Sequence, residues 1–168
     1  MEFEKVITER KATRKFSNKP VEKEKIDKIL WSGRIAPTAK NIQPIKIYVV
    51  ESEEGLKKMD KATKCRYGAP TVLLVCGDKE KSYIKDGSPL YQMDASIVTT
   101  HMMLEATNLG IDNIWIELFD GDILKREFNI PDNLVPVCLL PIGYKSKLCP
   151  PSPFHKIRKD INEIVEYK

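Results

Sequence analysis

The stretch 70-PTVLLVCGD-78 constrains this chain more than any other, because it is a continuous apolar run closed by Gly-Asp. A strand without polar alternation is buried on both faces, so it belongs in the middle of a sheet covered on each side. Three other stretches read as strands. They are 45-IKIYVVE-51, the short 111-IDNIWIE-117, and 134-LVPVCLLPIGY-144, whose Pro136 argues for an edge position or a bulge near its start. Helical patterns lie between them. Phe3, Val6 and Ile7 have helical spacing over residues 2–10, and Ile26, Ile29 and Leu30 form an apolar stripe after Pro20. Ser52 is placed to cap a helix over 53–62, and Asp120 one that carries Ile123, Leu124 and Phe128 and ends at Pro131. Ser88 as N-cap with Pro89 in the first helical position predicts a long helix over about 89–109, apolar around much of its circumference and stopped at Gly110. Strands alternating with helices predict an α/β or α+β sandwich around a central sheet.

A chain of 168 residues is expected to form one domain with a real core, and 42% hydrophobic with 31% charged residues is the composition of a soluble globular protein. The net charge of +4, from 28 basic and 24 acidic residues, is too mild to imply nucleic acid. No apolar run reaches the length of a membrane span, and the charged, amphipathic MEFEKVITER is expected not to be a signal peptide. Cys65, Cys76, Cys138 and Cys149 include no CxxC pair, and with only His101 and His155 no metal site is expected. The expected compartment is a reducing cytoplasm. Beyond 149-CPPSP-153, read as a stiff extended linker, the tail keeps Ile157, Ile161, Ile164 and Val165. It is expected to dock on this subunit or a partner. With the long apolar helix, it points to a homodimer.

The eight glycines match neither the GxGxxG nor the GxxxxGK[ST] spacing, and there is no GxSxG or HExxH. If the protein is an enzyme, a cofactor is therefore expected to carry the chemistry. Two polar stretches are candidates to hold one. In 10-RKATRKF-16, four cations within six residues suit a phosphate, because guanidinium groups offer a fixed fork of donors and charge-assisted bonds are strong. In 36-APTAKNIQP-44, side-chain amides in a rigid loop suit a planar heterocycle. The alternative for the first is a solvated surface turn, and for the second an ordinary Pro-bounded loop.

These stretches, in this order around a helix and before a strand, resemble the nitroreductase family of FMN-dependent flavoproteins. Two later stretches agree: 115-WIELFD-120, before a capped helix, and 141-PIGY-144, followed by the basic 156-KIR-158. The resemblance implies a sandwich with a central mixed or antiparallel sheet flanked by helices, in a single domain over 1–168. It also implies a homodimer with an FMN site at each side of the interface, and residues 153–168 as an extension exchanged onto the partner. Arg10 and Lys11, with Ala12 between them and the rest of the motif, fall where the family grips the FMN phosphate. Arg14 falls where a cation faces flavin N1 and O2. Pro37, Thr38, Ala39 and Asn41 match the loop whose amide reaches the pyrimidine edge. Gln43 lies beside them, with anchoring of the loop's own backbone as its alternative. Glu117 and Leu118 match the pair beside N5, and Pro141, Ile142 and Gly143 the closing strand. Lys156 and Arg158 match the last phosphate contacts, with a solvated tail face as their alternative.

Ala12 stands where a serine is common, which removes one hydroxyl contact. Leu118 replaces a common glycine near N5, and the chain is short for the family. The activity implied is hydride transfer from NAD(P)H through FMN to a nitroaromatic, quinone or similar acceptor by a ping-pong mechanism. The alternatives are a flavin-binding, storage or electron-relay protein with little turnover, and a non-flavin interaction domain.

Overall fold

In the computed structural model, which describes residues 1–149 and 152–168, strand β2 (Thr71–Asp78) is buried at every residue, as its apolar run requires. It pairs antiparallel with β1 (Ile45–Val50) on one side and with β6 (Leu134–Gly143) on the other. The two-residue β5 (Asp112–Asn113) pairs antiparallel with β6, so the sheet order is β1-β2-β6-β5. Successive side chains of a strand point to opposite faces. Val72, Leu74 and Cys76 accordingly enter one core with Phe16, Met59 and Leu124, while Leu73 and Val75 enter a second with Ile26, Ile29 and Met102. Helices α3 (Glu53–Ala62) and α5 (Gly121–Phe128) cover the first face, and α2 (Lys23–Arg34) and α4 (Tyr91–Asn108) the second. A short α1 (Phe3–Glu9) leads into the basic motif.

Pro136 sits at a bulge, not an edge. Val75 pairs with Cys138 and Cys76 with Pro136, so Val137 is the extra residue. A one-residue insertion exchanges the faces of a strand. That is why Leu134 and Leu139, an odd number of residues apart, both serve the α3/α5 core. On the other face, α2 and α4 approach closely at Gly33, where a Cβ would lie 2.7 Å from Met102 Cγ.

Three expectations are corrected. Ser88 and Pro89 do not start a helix; they form β4 (Ser88–Pro89), paired with β3 (Ile84–Lys85) around Asp86 (φ 50) and Gly87 (φ 78). Consecutive left-handed residues make the tight hairpin turn that matches strand twist, and this Asp-Gly pair prevails over the Ser-Pro start signal. Helix α4 begins at Tyr91 instead. Helix α5 ends at Phe128 because Asn129 turns left-handed and returns its N–H to Lys125 O, two residues before Pro131. Residues 111–117 form only β5 and an isolated bridge between Ile116 and Leu139.

Among the described residues no helix is long and apolar enough to cross a membrane. Of the expected linker, Pro150 and Pro151 lie outside the described residues. The tail does not bury its apolar residues on its own subunit: Phe154, Ile157, Ile161 and Ile164 are all more than half exposed.

Candidate functional site

The basic motif is built by stitching residues 12–16 to the sheet. Ala12 bridges Asn113, Thr13 N–H donates to Asn113 O at 3.0 Å, and Phe16 N–H donates to Tyr67 O at 3.0 Å. Thr13 and Phe16 point inward and are buried, so Lys11, Arg14 and Lys15 are left outside. Lys11 borders a cavity of about 970 Å³ that is also lined by Asn113, Lys145, His155, Lys156 and Arg158. The tail thus returns to the start of the chain. Arg10 is close enough to Arg158 that its pKa is lowered, first by burial and then by that second guanidinium. Among the described residues none of Arg10, Lys11, Lys156 and Arg158 forms an ion pair with a carboxylate. Glu9 and Asp112 also line this cavity, but cations outnumber them there, and a dianion needs about two cations.

Arg14 is exposed and faces Tyr67. The Tyr67 phenol is held above its ordinary pKa by a hydrogen bond with Cys65 and by burial, with Arg14 acting in the opposite direction.

The amide loop has a different construction. Lys40 (φ 49), Asn41 (φ 56) and Gln43 (φ 56) are left-handed without being glycine. Such residues cost of order 1 kcal/mol or more each and persist only where their surroundings over-determine them. Within the loop, Asn41 N–H donates to Thr38 O at 2.9 Å, Ile42 N–H to Ala39 O at 3.1 Å, and Gln43 N–H to Thr38 Oγ1 at 3.0 Å. Gln43 Nε2 donates to Asn41 O at 3.1 Å, so its amide here anchors the loop's own backbone. Lys40 Nζ lies 4.8 Å from the centre of the Tyr83 ring. From helix α4, Asp94 Oδ1 accepts the Ala39 N–H at 2.8 Å. The Asn41 amide is exposed and has no protein partner among the described residues. Pro37 is exposed too, while Thr38 and Gln43 line a cavity of about 360 Å³ with Leu30, Arg34 and Val98.

Glu117 and Leu118 are exposed, and Thr63 Oγ1 holds Leu118 O at 2.7 Å. Among the described residues, neither residue's N–H donates a backbone hydrogen bond. Leu118, 76% exposed, borders a third cavity of about 660 Å³. Pro141, Ile142 and Gly143 are buried in β6. A Cβ at Gly143 would lie 2.8 Å from Pro70 and 3.1 Å from the Phe16 ring. The missing side chain at Gly143 therefore lets Phe16, the last residue of the basic motif, seat against the strand.

The structure brings Arg10, Lys11, Lys156 and Arg158 together. It leaves the amide loop and the 117–118 pair on separate cavities of the single chain. Sequence reasoning missed Asp94, Tyr67 and Lys145. Asp94 had a signal, a carboxyl group one position before the apolar run that starts at Ala95, and Lys145 follows directly on 141-PIGY-144.

Comparison with known proteins bears on the family and the fold. The sequence model of the Nitroreductase family matches residues 7–67 and 64–144. A nitroreductase family protein from Clostridium difficile 630 superposes with a TM-score of 0.93 at 44% identity, covering 100% of this chain and 99% of its own. A protein of Archaeoglobus fulgidus provisionally named NADH dehydrogenase/NAD(P)H nitroreductase is 31% identical over 147 residues, 83% of each chain. A protein from Exiguobacterium sibiricum 255-15, solved in complex with FMN, shares the fold with a TM-score of 0.87 at 23% identity, covering 100% of this chain and 98% of its own. With the matched residues running from α1 to the end of β6 and the same fold throughout, the chain belongs to the nitroreductase family.

Proposed function

We propose that this protein is an FMN-dependent oxidoreductase that takes electrons from NAD(P)H and delivers them to a small acceptor such as a nitroaromatic or a quinone. The observation that carries the reading is the convergence of Lys11, Lys156 and Arg158, from the two ends of the chain, on one cavity beside Arg10. Family membership and the names of the relatives support the same reading. Arg10, Lys11, Lys156 and Arg158 hold the phosphate, with Ala12 contributing no hydroxyl. Asn41 presents its free amide to the pyrimidine edge, and Pro37, Thr38 and Ala39 shape the loop that carries it. Arg14 would supply a positive charge to the ring, and the N–H groups of Glu117 and Leu118 would be the donors nearest its reactive side. FMN, when bound, supplies two-electron hydride chemistry that no side chain here provides. Exposed cations beside the ring favour negative charge on it. The exposed Leu118 side chain narrows the space for the acceptor and so acts on its choice.

The protein acts as a single-domain homodimer in the cytoplasm. Exposed Trp31 on α2, Ile35 just after it, Met93 on α4 and the apolar tail offer surface for a second copy. Three separate cavities in one chain also fit a site completed by a partner, with the exposed apolar residues beyond Arg158 docking across.

The visible absorption spectrum of the purified protein tests the reading. Bands near roughly 370 and 450 nm that bleach anaerobically on addition of NADH or NADPH are expected. Flavin bands that persist point to a binding or electron-relay protein. A colourless protein that ignores added FMN overturns the proposal.

A further inference from the structure

We infer that Asp94 is a positioning residue for cofactor binding: from helix α4 it clamps the loop that presents Asn41. The inference rests on the proposed role of Asn41 as the flavin's amide partner. Residues 38–43 carry three left-handed non-glycine conformations, and their internal hydrogen bonds run only between loop residues. Bonds of that kind move with the loop and cannot fix it against the rest of the fold. Among the described residues, the only hydrogen bond these six residues receive from beyond residue 45 is Asp94 Oδ1 to Ala39 N–H, at 2.8 Å. Ala39 immediately precedes the left-handed pair Lys40 and Asn41, so a clamp there sets the direction in which Asn41 leaves the surface.

Asp94 is also held at a cost. It is 2% exposed, and its second oxygen, Oδ2, has no hydrogen-bond partner among the described residues. A buried polar atom without a partner weakens a fold, and few are found in native proteins. Packing alone therefore gives no reason for a carboxyl group at this place in an apolar helix. The bond to Ala39 does give one. Its rigid base is supplied by α4, whose Ala95, Val98 and Met102 lie in the core beneath the sheet.

The test compares Asp94→Ala, Asp94→Asn and Asn41→Gly, the last of which keeps the left-handed backbone and removes only the amide. FMN affinity is read by fluorescence titration of the full-length protein, and amide hydrogen exchange is read on the FMN-free protein. Asp94→Ala is expected to raise the FMN Kd about tenfold, the loss of one buried hydrogen bond. Asp94→Asn, whose carbonyl still accepts from Ala39, is expected to stay within about threefold of wild type. Adding Asp94→Ala to Asn41→Gly is expected to cost little more than Asn41→Gly alone, because residues acting through one another are not additive. Exchange over residues 38–43 is expected to quicken about tenfold in Asp94→Ala while α2 and β2 keep wild-type protection. Losses that add fully in the double variant, or unchanged exchange in the loop, overturn the clamp. If wild-type protein binds no FMN, the proposed function fails on its own, and the exchange result still decides whether Asp94 holds the loop.

Discussion

Lys11, Lys156 and Arg158 reach their cavity as exposed side chains from opposite ends of the chain, whereas residues 38–43 hold their shape through three left-handed residues and a buried carboxyl group on another helix. The first region works by charge. Coulombic attraction acts over several ångströms, so a lysine can approach an anion along many paths, and no fixed backbone is needed. The second works by the direction of a single amide, which fails when misaligned by a few tens of degrees. In the proposed flavin site the first region would be the tolerant half and the second the stringent half, so salt, pH and mutation should affect them differently.

The largest expected effect strikes both halves at once, through the sheet that carries them. Burial pushes the Cys76 and Cys138 thiols up to about 12 from an ordinary 9.0. A folded pKa above the unfolded one gives stability that is complete below about pH 9 and lost as pH rises toward 12. Each pH unit in that window removes up to about 1.4 kcal/mol per thiol. Urea midpoints should hold to about pH 9 and fall above it, with a shallower fall in a Cys76→Ala/Cys138→Ala variant. An identical slope in that variant would remove the thiols from the explanation.

Next, Arg10→Ala with Arg158→Ala should weaken FMN about a hundredfold, as two charge-assisted bonds disappear. The remaining binding should depend less on salt, since screening acts on exposed charges. A steep salt dependence surviving in the double variant would locate the phosphate elsewhere. Asn41→Gly should cost about tenfold and leave the salt dependence untouched, because a neutral amide has no charge to screen. A changed salt slope there would blur the distinction between the halves. The smallest effect is a gain: Ala12→Ser restores a hydroxyl beside the phosphate and should tighten FMN about threefold. Unaltered affinity would mean that residue 12, bridged to Asn113, faces away from the ligand.

How much was legible follows from the range of each signal. The buried β2, the caps at Ser52 and Asp120 and the bulge at Pro136 were readable because apolar runs, N-cap oxygens and a missing N–H act within a few residues. Ser88-Pro89 misled because a competing Asp-Gly turn lay just upstream, and local rules do not rank two valid signals. The basic cluster was visible as composition, but its meeting with Lys156 and Arg158 joins residues about 145 positions apart, as the numbering shows. No pattern within a window carries that distance. Asp94 shows the same limit: nothing near residue 94 indicates that its partner is the N–H of Ala39.

By itself the sequence determined most strands and helices, though not the β3–β4 hairpin or the shortness of β5, and it determined which faces are apolar and which residue types could hold an anion or an amide edge. Those properties come from periodicity and side-chain chemistry, which each residue carries with it. Only the tertiary structure decided that the chain's two ends share one cavity, that Pro141, Ile142 and Gly143 are buried within β6, and that a carboxyl group on a helix in the second half of the chain accepts a hydrogen bond from a loop in the first. Those outcomes depend on how the faces of distant elements meet, which is settled by packing across the whole core.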